Sequence, residues 1–158
     1  MITPVLALEI VTHPQVIDNN LTKSQLRRIY TMRQLNWSDN SAITVFVLPS
    51  QHALHQRFAK ERLQIFPYQL NRIWHKLTYS GLGVAPTTVQ SEEELIQAVI
   101  KTPGAIGYID TPNLQKLMAK ENDDKVTLAQ VVSQENTVMD SKEKDLGKGV
   151  VNVVKIKD

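Results

Sequence analysis

Apolar positions fall along this chain in two rhythms: short dense runs, and longer stretches spaced three and four apart. Leu8 to Thr12 (LEIVT) is a dense run rich in β-branched residues and predicts a strand. His13-Pro14 stops it, because a proline holds the residue before it extended and has no N–H for a ladder. Asp18-Asn19-Asn20 reads as a loop. Thr22-x-x-Gln25 is a capping box, opening a helix with Leu26, Ile29 and Tyr30 on one face. Asn36 to Asn40 is a turn cluster. Ile43 to Leu48 (ITVFVL) is nearly continuous apolar sequence, as a strand buried on both faces requires. Pro49-Ser50 ends it, with Ser50 placed to cap a helix carrying Leu54, Phe58 and Leu63.

Pro67 suits the first turn of a further helix whose inward positions are Leu70, Ile73, Trp74 and Leu77. Ser80-Gly81-Leu82-Gly83 terminates it. Ser91 to Glu94 forms a second capping box, with acidic residues well placed at a helix N-terminus. That helix turns Leu95, Val99 and Ile100 inward and stops before Pro103-Gly104. Ala105 to Ile109 and Val150 to Ile156 predict two more strands. Between them, Asp110 to Gly149 is a polar insertion with weak helical patches around Leu114 to Met118 and Leu128 to Val132; Ser141 to Lys148 is highly charged. Strands alternating with helices indicate an α/β sandwich around one central sheet.

Composition narrows the function classes. At 158 residues the chain is one domain, with 42% hydrophobic and 22% charged residues, as in an ordinary globular protein. A net charge of +2, with Lys and Arg scattered among Asp and Glu, argues against nucleic acid as a partner. No apolar run reaches the length of a membrane span. The absence of cysteine removes thiol catalysis, zinc–thiolate sites and disulfides. The start, Met1 to Ala7, ends in Val5-Leu6-Ala7. Two readings stand: the residual end of a signal peptide, or the early part of the first strand.

Few residues offer chemistry. His52 and His55 are three apart on one helix, but no third metal ligand follows at a useful spacing, so both read as solvated helix histidines. Trp37, Trp74, Tyr79 and Tyr108 could stack on a ligand, with Trp74 assigned to the core by its helical spacing. Gly81-x-Gly83 is too short for a dinucleotide fingerprint. Arg27, Arg28 and Arg33 read as a solvated face. No nucleophile elbow, P-loop or positioned acid pair is present, so no enzyme, cofactor or metal is expected.

The order of certain phrases adds a resemblance. His13-Pro14 follows the first strand. Leu26-Arg27-Arg28-Ile29-Tyr30 leads to Asn36-Trp37, and a helix containing Phe58 comes after the next strand. Trp74, Gly81 and Pro86-Thr87-Thr88-Val89 follow, then Thr102-Pro103-Gly104-Ala105-Ile106-Gly107-Tyr108-Ile109. This series, over about residues 8 to 110, resembles the phosphate ABC-transporter substrate-binding protein family. The resemblance implies the type 2 periplasmic binding-protein fold. For a chain this short it implies a single three-layer α/β domain with a central mixed sheet, equivalent to one lobe, over residues 8–158. The likeness departs at the family's phosphate loop, an Arg followed by Ser-Gly-Thr: aligned on Phe58, Leu48 stands at the Arg, and His52, Ala53 and Leu54 stand at Ser-Gly-Thr. Met32 stands where the family has a Gly before Asn36-Trp37.

What the resemblance implies is a non-catalytic, exported, periplasmic module that binds a small oxyanion such as phosphate and works with a membrane transporter or a sensor protein. The expected site is the helix start Ser50–Gln51–His52, where exposed backbone N–H groups attract an anion. Ser50 Oγ and a protonated His52 would assist, so that binding weakens as pH rises through the histidine range. Arg57, Thr87 and Thr88 are further helpers. The alternative is a protein-interaction, accessory or sensor domain that has lost ligand capture, including as a homodimer, because a lone lobe leaves a surface uncovered. A hydrolase using His52 or His55 ranks last.

Overall fold

The computed structural model describes residues 7–119 and 151–158. The start at 1–6 and the segment 120–150 lie outside the described residues, and with them the second helical patch and the charged run expected there. The elements in order are β1 (Leu8–Thr12), β2 (Asn20–Thr22), α1 (Lys23–Tyr30), β3 (Thr44–Val47), α2 (Ala53–Arg57), a π-helical segment (Phe58–Leu63), α3 (Pro67–Tyr79), β4 (Thr87–Thr88), α4 (Glu92–Lys101), β5 (Ala105–Asp110), a helix over 111–119 (α5) and β6 (Asn152–Lys157).

The strands form one mixed sheet in the order β2-β6-β1-β5-β3-β4. β1 is antiparallel to both β5 and β6, while β3 is parallel to β4 and β5, and β2 is parallel to β6. Side chains alternate across the sheet, so β5 faces two ways. Tyr108 points to one helical layer, where its ring stacks on Phe58 at 4.1 Å between centroids, and Phe58 meets Tyr30 of α1 edge-on at 4.6 Å. Gly107 points to the other layer, against Leu95 and Val99 of α4. The result is a three-layer α/β domain around a central mixed sheet.

Local chemistry explains most boundaries. Thr22 Oγ1 accepts the Gln25 N–H at 3.1 Å and Gln25 Oε1 accepts the Thr22 N–H at 2.9 Å, closing the capping box at α1. Pro67 occupies the first turn of α3 and Gly81, at φ 69°, follows its end. Ser91 Oγ caps α4 through the Glu94 N–H. Met32, standing at the resemblance's glycine position, keeps a left-handed φ of 61°.

Several expectations change. Asn20, read as loop, starts β2, whose three residues pair with β6; a segment this short carries too little pattern to be seen alone. Thr87–Thr88, read as loop, form the edge strand β4 through pairing with Phe46 and Val47. Ser50 is not the helix cap: His52 is, its Nδ1 accepting the Leu54 N–H at 3.1 Å. The helix after it is five residues long before widening into the π-helical segment, which ends at Gln64 with φ 54°. His55 is not solvated but wholly buried. Trp37 and Tyr108 are core residues: the Trp37 indole N–H donates to the Gly104 carbonyl at 2.9 Å.

Candidate functional site

β3, β4 and β5 run parallel, so their C-terminal ends share one edge of the sheet. The chain leaves β3 there for α2, leaves β4 for α4, and leaves β5 for α5. Three helix starts therefore gather at one edge, the usual location of ligand crevices in open α/β sheets. On the α4/α5 side of this edge lies a cleft of ≈ 490 Å³. His52 from the β3–α2 turn, Ser91 and Gln97 of the α4 region, and Asn113 and Lys116 of α5 supply its polar lining; Ile96, Ile109 and Leu117 supply apolar wall.

Two carboxylates also line it, Glu92 and Glu93. Glu92 is anchored: its Oε2 accepts the Asn113 side-chain N–H at 2.7 Å and its Oε1 accepts the Asp110 N–H at 3.3 Å. Asp110 in turn caps α5, accepting the Asn113 N–H at 2.9 Å. The chain's own carboxylates thus occupy donors that an incoming anion would otherwise use. Lys116 is the single Lys or Arg in the lining, against Glu92 and Glu93.

Directly beneath the β3–α2 turn is a buried polar cluster. Tyr108 Oη accepts the Leu48 N–H at 2.9 Å, so its own proton is free to go to His55 Nδ1, 2.6 Å away. That geometry places the imidazole proton on Nε2, which is buried without a hydrogen-bond partner among the described residues. Burial, with a smaller contribution from the neighbouring His52, lowers the His55 pKa to about 4, so the ring is neutral near pH 7. Burial also pushes both the Tyr108 and Tyr30 hydroxyls well above the ordinary tyrosine range.

The six positions expected from sequence do not converge. His52 lines the cleft. Ser50 instead borders a shallower hollow of ≈ 380 Å³ on the other side, with Gln56, Lys60 and the stacked pair Phe66–Tyr68. Gln51 is exposed. Arg57 meets Glu61 at 3.5 Å along its own helix. Thr87 and Thr88 are exposed on the edge strand. His52 Nδ1 already accepts the helix-capping hydrogen bond, so a protonated His52 would have to give up that cap. Ser91, Asn113 and Lys116 were missed as site residues. Ser91 was visible as a cap, but nothing local joins it to α5. Among the described residues no group of three potential ligands is placed to hold a metal ion, and no helix is long and apolar enough to cross a membrane.

Known proteins share this fold. The structure of PstS from Borrelia burgdorferi is 19% identical at a TM-score of 0.56, with 96% of this chain and 47% of that one covered. A putative phosphate ABC transporter substrate-binding protein with bound phosphate from Clostridium perfringens is 17% identical at 0.59, covering 96% and 45%. An ABC-type phosphate transport receptor from Vibrio cholerae is 15% identical at 0.58, covering 96% and 46%. The chain spans about half the length of these solved structures, as one lobe would. No curated protein sequence matches it. The model of the PBP superfamily domain matches residues 7–158, and the chain belongs to that family.

Proposed function

We propose that the chain is a non-catalytic binding module of the phosphate-receptor type, acting in the periplasm beside a membrane transporter and taking a small oxyanion such as phosphate. The observation that carries this reading is the cleft itself: it opens at the C-terminal edge of three parallel strands and brings His52, Ser91, Asn113 and Lys116 together from three helix starts. The fold likeness to a solved phosphate-bound protein supports the same ligand class. His52 Nε2 and Lys116 Nζ are the donors with charge or proton to offer. Ser50, Gln51 and Thr88 flank the edge rather than the cleft, and Arg57 and Thr87 are peripheral. With Glu92 and Glu93 alongside, affinity is modest, because an anion gains most from charge-assisted donors and loses to nearby carboxylates.

A thermal-shift titration with phosphate and sulfate tests this. Phosphate at about a hundred times its dissociation constant should stabilise the fold by roughly 2.7 kcal/mol, and Lys116→Gln and His52→Ala should each weaken the response. No response to any oxyanion would remove the oxyanion reading. The second reading is then a protein-interaction module. Tyr79 at the end of α3 and Leu82 and Val84 in the turn after it favour it, with 90%, 81% and 83% of their surface exposed.

A further inference from the structure

α3 has two faces of opposite character. Leu70 and Trp74 turn inward, and the Trp74 indole N–H donates to the Tyr30 carbonyl at 2.8 Å. At about 100° per residue, Tyr68, Arg72, His75 and Tyr79 fall in one narrow stripe on the other side, with Lys76 beside it. All of these are exposed. Phe66 extends the stripe at its start, its ring stacked on Tyr68 at 5.8 Å, and His75 meets Tyr79 edge-on at 6.5 Å. Rings and cations therefore share about 16 Å of helix surface.

The chain leaves α3 by a turn that projects aliphatic side chains. Gly83 backs onto the helix, where a Cβ would lie 3.6 Å from Leu77 Cβ. Leu82 and Val84, on either side of it, stay more than four-fifths exposed, as does Tyr79. No Asp or Glu occurs in the chain between Glu61 and Glu92. Neither Arg72 nor Lys76 has a carboxylate partner among the described residues, and Glu61 is engaged by Arg57. Lys60 adds a third cation, in the shallow hollow that it shares with Phe66 and Tyr68. The surface is thus locally cationic, although the whole chain carries only +2. None of these residues lines the α4/α5 cleft.

We propose that this face seats on an anionic lipid surface, with Tyr79, Leu82 and Val84 entering the headgroup layer and Lys60, Arg72 and Lys76 lying over lipid phosphates. The cations and the absence of carboxylates complement such a surface over a wide area. A Leu and a Val projecting singly from a turn need no shaped pocket in a fluid interface, whereas an acidic protein partner would have to supply one. Tyrosine suits the headgroup level, where its ring is apolar and its hydroxyl stays wet. Lys and Arg reach the phosphates while their stems cover apolar surface. Each cation at the surface strengthens binding about fivefold, and each methylene withdrawn from water about fourfold. Membrane seating does not depend on what the cleft holds.

The test is co-flotation of the full chain with vesicles of phosphatidylglycerol and phosphatidylcholine in equal parts, against vesicles of phosphatidylcholine alone. The parent should float with the first and far less with the second. Salt at about 1 M, where the Debye length falls to about 3 Å, should release it. Arg72→Gln combined with Lys76→Gln should weaken binding about twentyfold, and Leu82→Ser about tenfold or more. Lys101→Gln removes a cation from α4, in the opposite helical layer, and should leave binding unchanged. Hydrogen exchange on the anionic vesicles should show residues 79–84 protected in the parent, a readout that needs no variant. Absence of flotation, undiminished binding in either variant of the α3 face, or an equal loss per charge in Lys101→Gln overturns the proposal. A dimer that Leu82→Ser makes monomeric, without flotation of the parent, assigns the face to a second copy of the chain and overturns it as well.

Discussion

His55 shows how tertiary burial rewrites a residue. In the sequence it is a helix histidine three residues from another; in the fold it is wholly buried, with Nδ1 held by Tyr108 Oη. Burial holds its pKa in the folded chain at about 4, below the ordinary histidine value of 6.5. The unfolded chain therefore binds the proton first as pH falls. The stability tied to its neutrality is complete above pH 6.5 and is lost as pH drops toward 4. By linkage this loss is on the order of 3 kcal/mol. Urea unfolding of the parent and of His55→Leu at pH 7, 5.5 and 4.5 checks it. The variant should be the less stable at pH 7, because it strands Tyr108 Oη, and its deficit should shrink as pH falls. A constant deficit would mean that His55 does not titrate in this range.

At the scale of elements, the phrase that carries the resemblance has a structural explanation. In Thr102 to Ile109, Gly104 sits at φ 78°, and a Cβ there would come within 2.2 Å of the Ala42 carbonyl oxygen, which is backbone and cannot step aside. Gly107 would meet Leu95 Cδ2 at 2.5 Å, the tip of a side chain that can rotate. Tyr108 ties β5 to the end of β3 and to α2. Gly104→Ala should thus cost more than Gly107→Ala: above about 3 kcal/mol against about 1–3 kcal/mol, the range for overpacking. Thermal unfolding of both variants measures the order, and a milder Gly104→Ala would contradict the close approach. The phrase encodes backbone clearance and a core hydroxyl. That is why it predicted the fold well and said little about a ligand. Legibility varied for the same physical reason elsewhere. The capping box at Thr22 acts within four residues and was readable. β2 and β4 are too short for a period, and exist because β6 and β3 lie beside them.

For the whole molecule, the exposed side chains of Tyr79, Leu82 and Val84 precede β4 in the chain, and none of them lines the cleft. Light scattering behind size exclusion tests the partner reading: a dimer that becomes monomeric in Leu82→Ser with unchanged thermal stability would assign the turn as its interface, and a parent monomer would exclude self-association there. The family likeness covers about half of each solved relative. The sequence by itself determined the longer strands and helices, the caps at Thr22 and Ser91, the main apolar helix faces and the family resemblance, because these follow from local spacing and short-range hydrogen bonds. The tertiary structure decided which side of the sheet edge each polar group faces. Ser50 and His52, two residues apart, line different hollows, while His52 and Lys116 line one cleft from 64 positions apart in the chain. It also placed Arg62 beside Leu8. Convergence of this kind is set by strand pairing between distant segments, which local pattern does not encode.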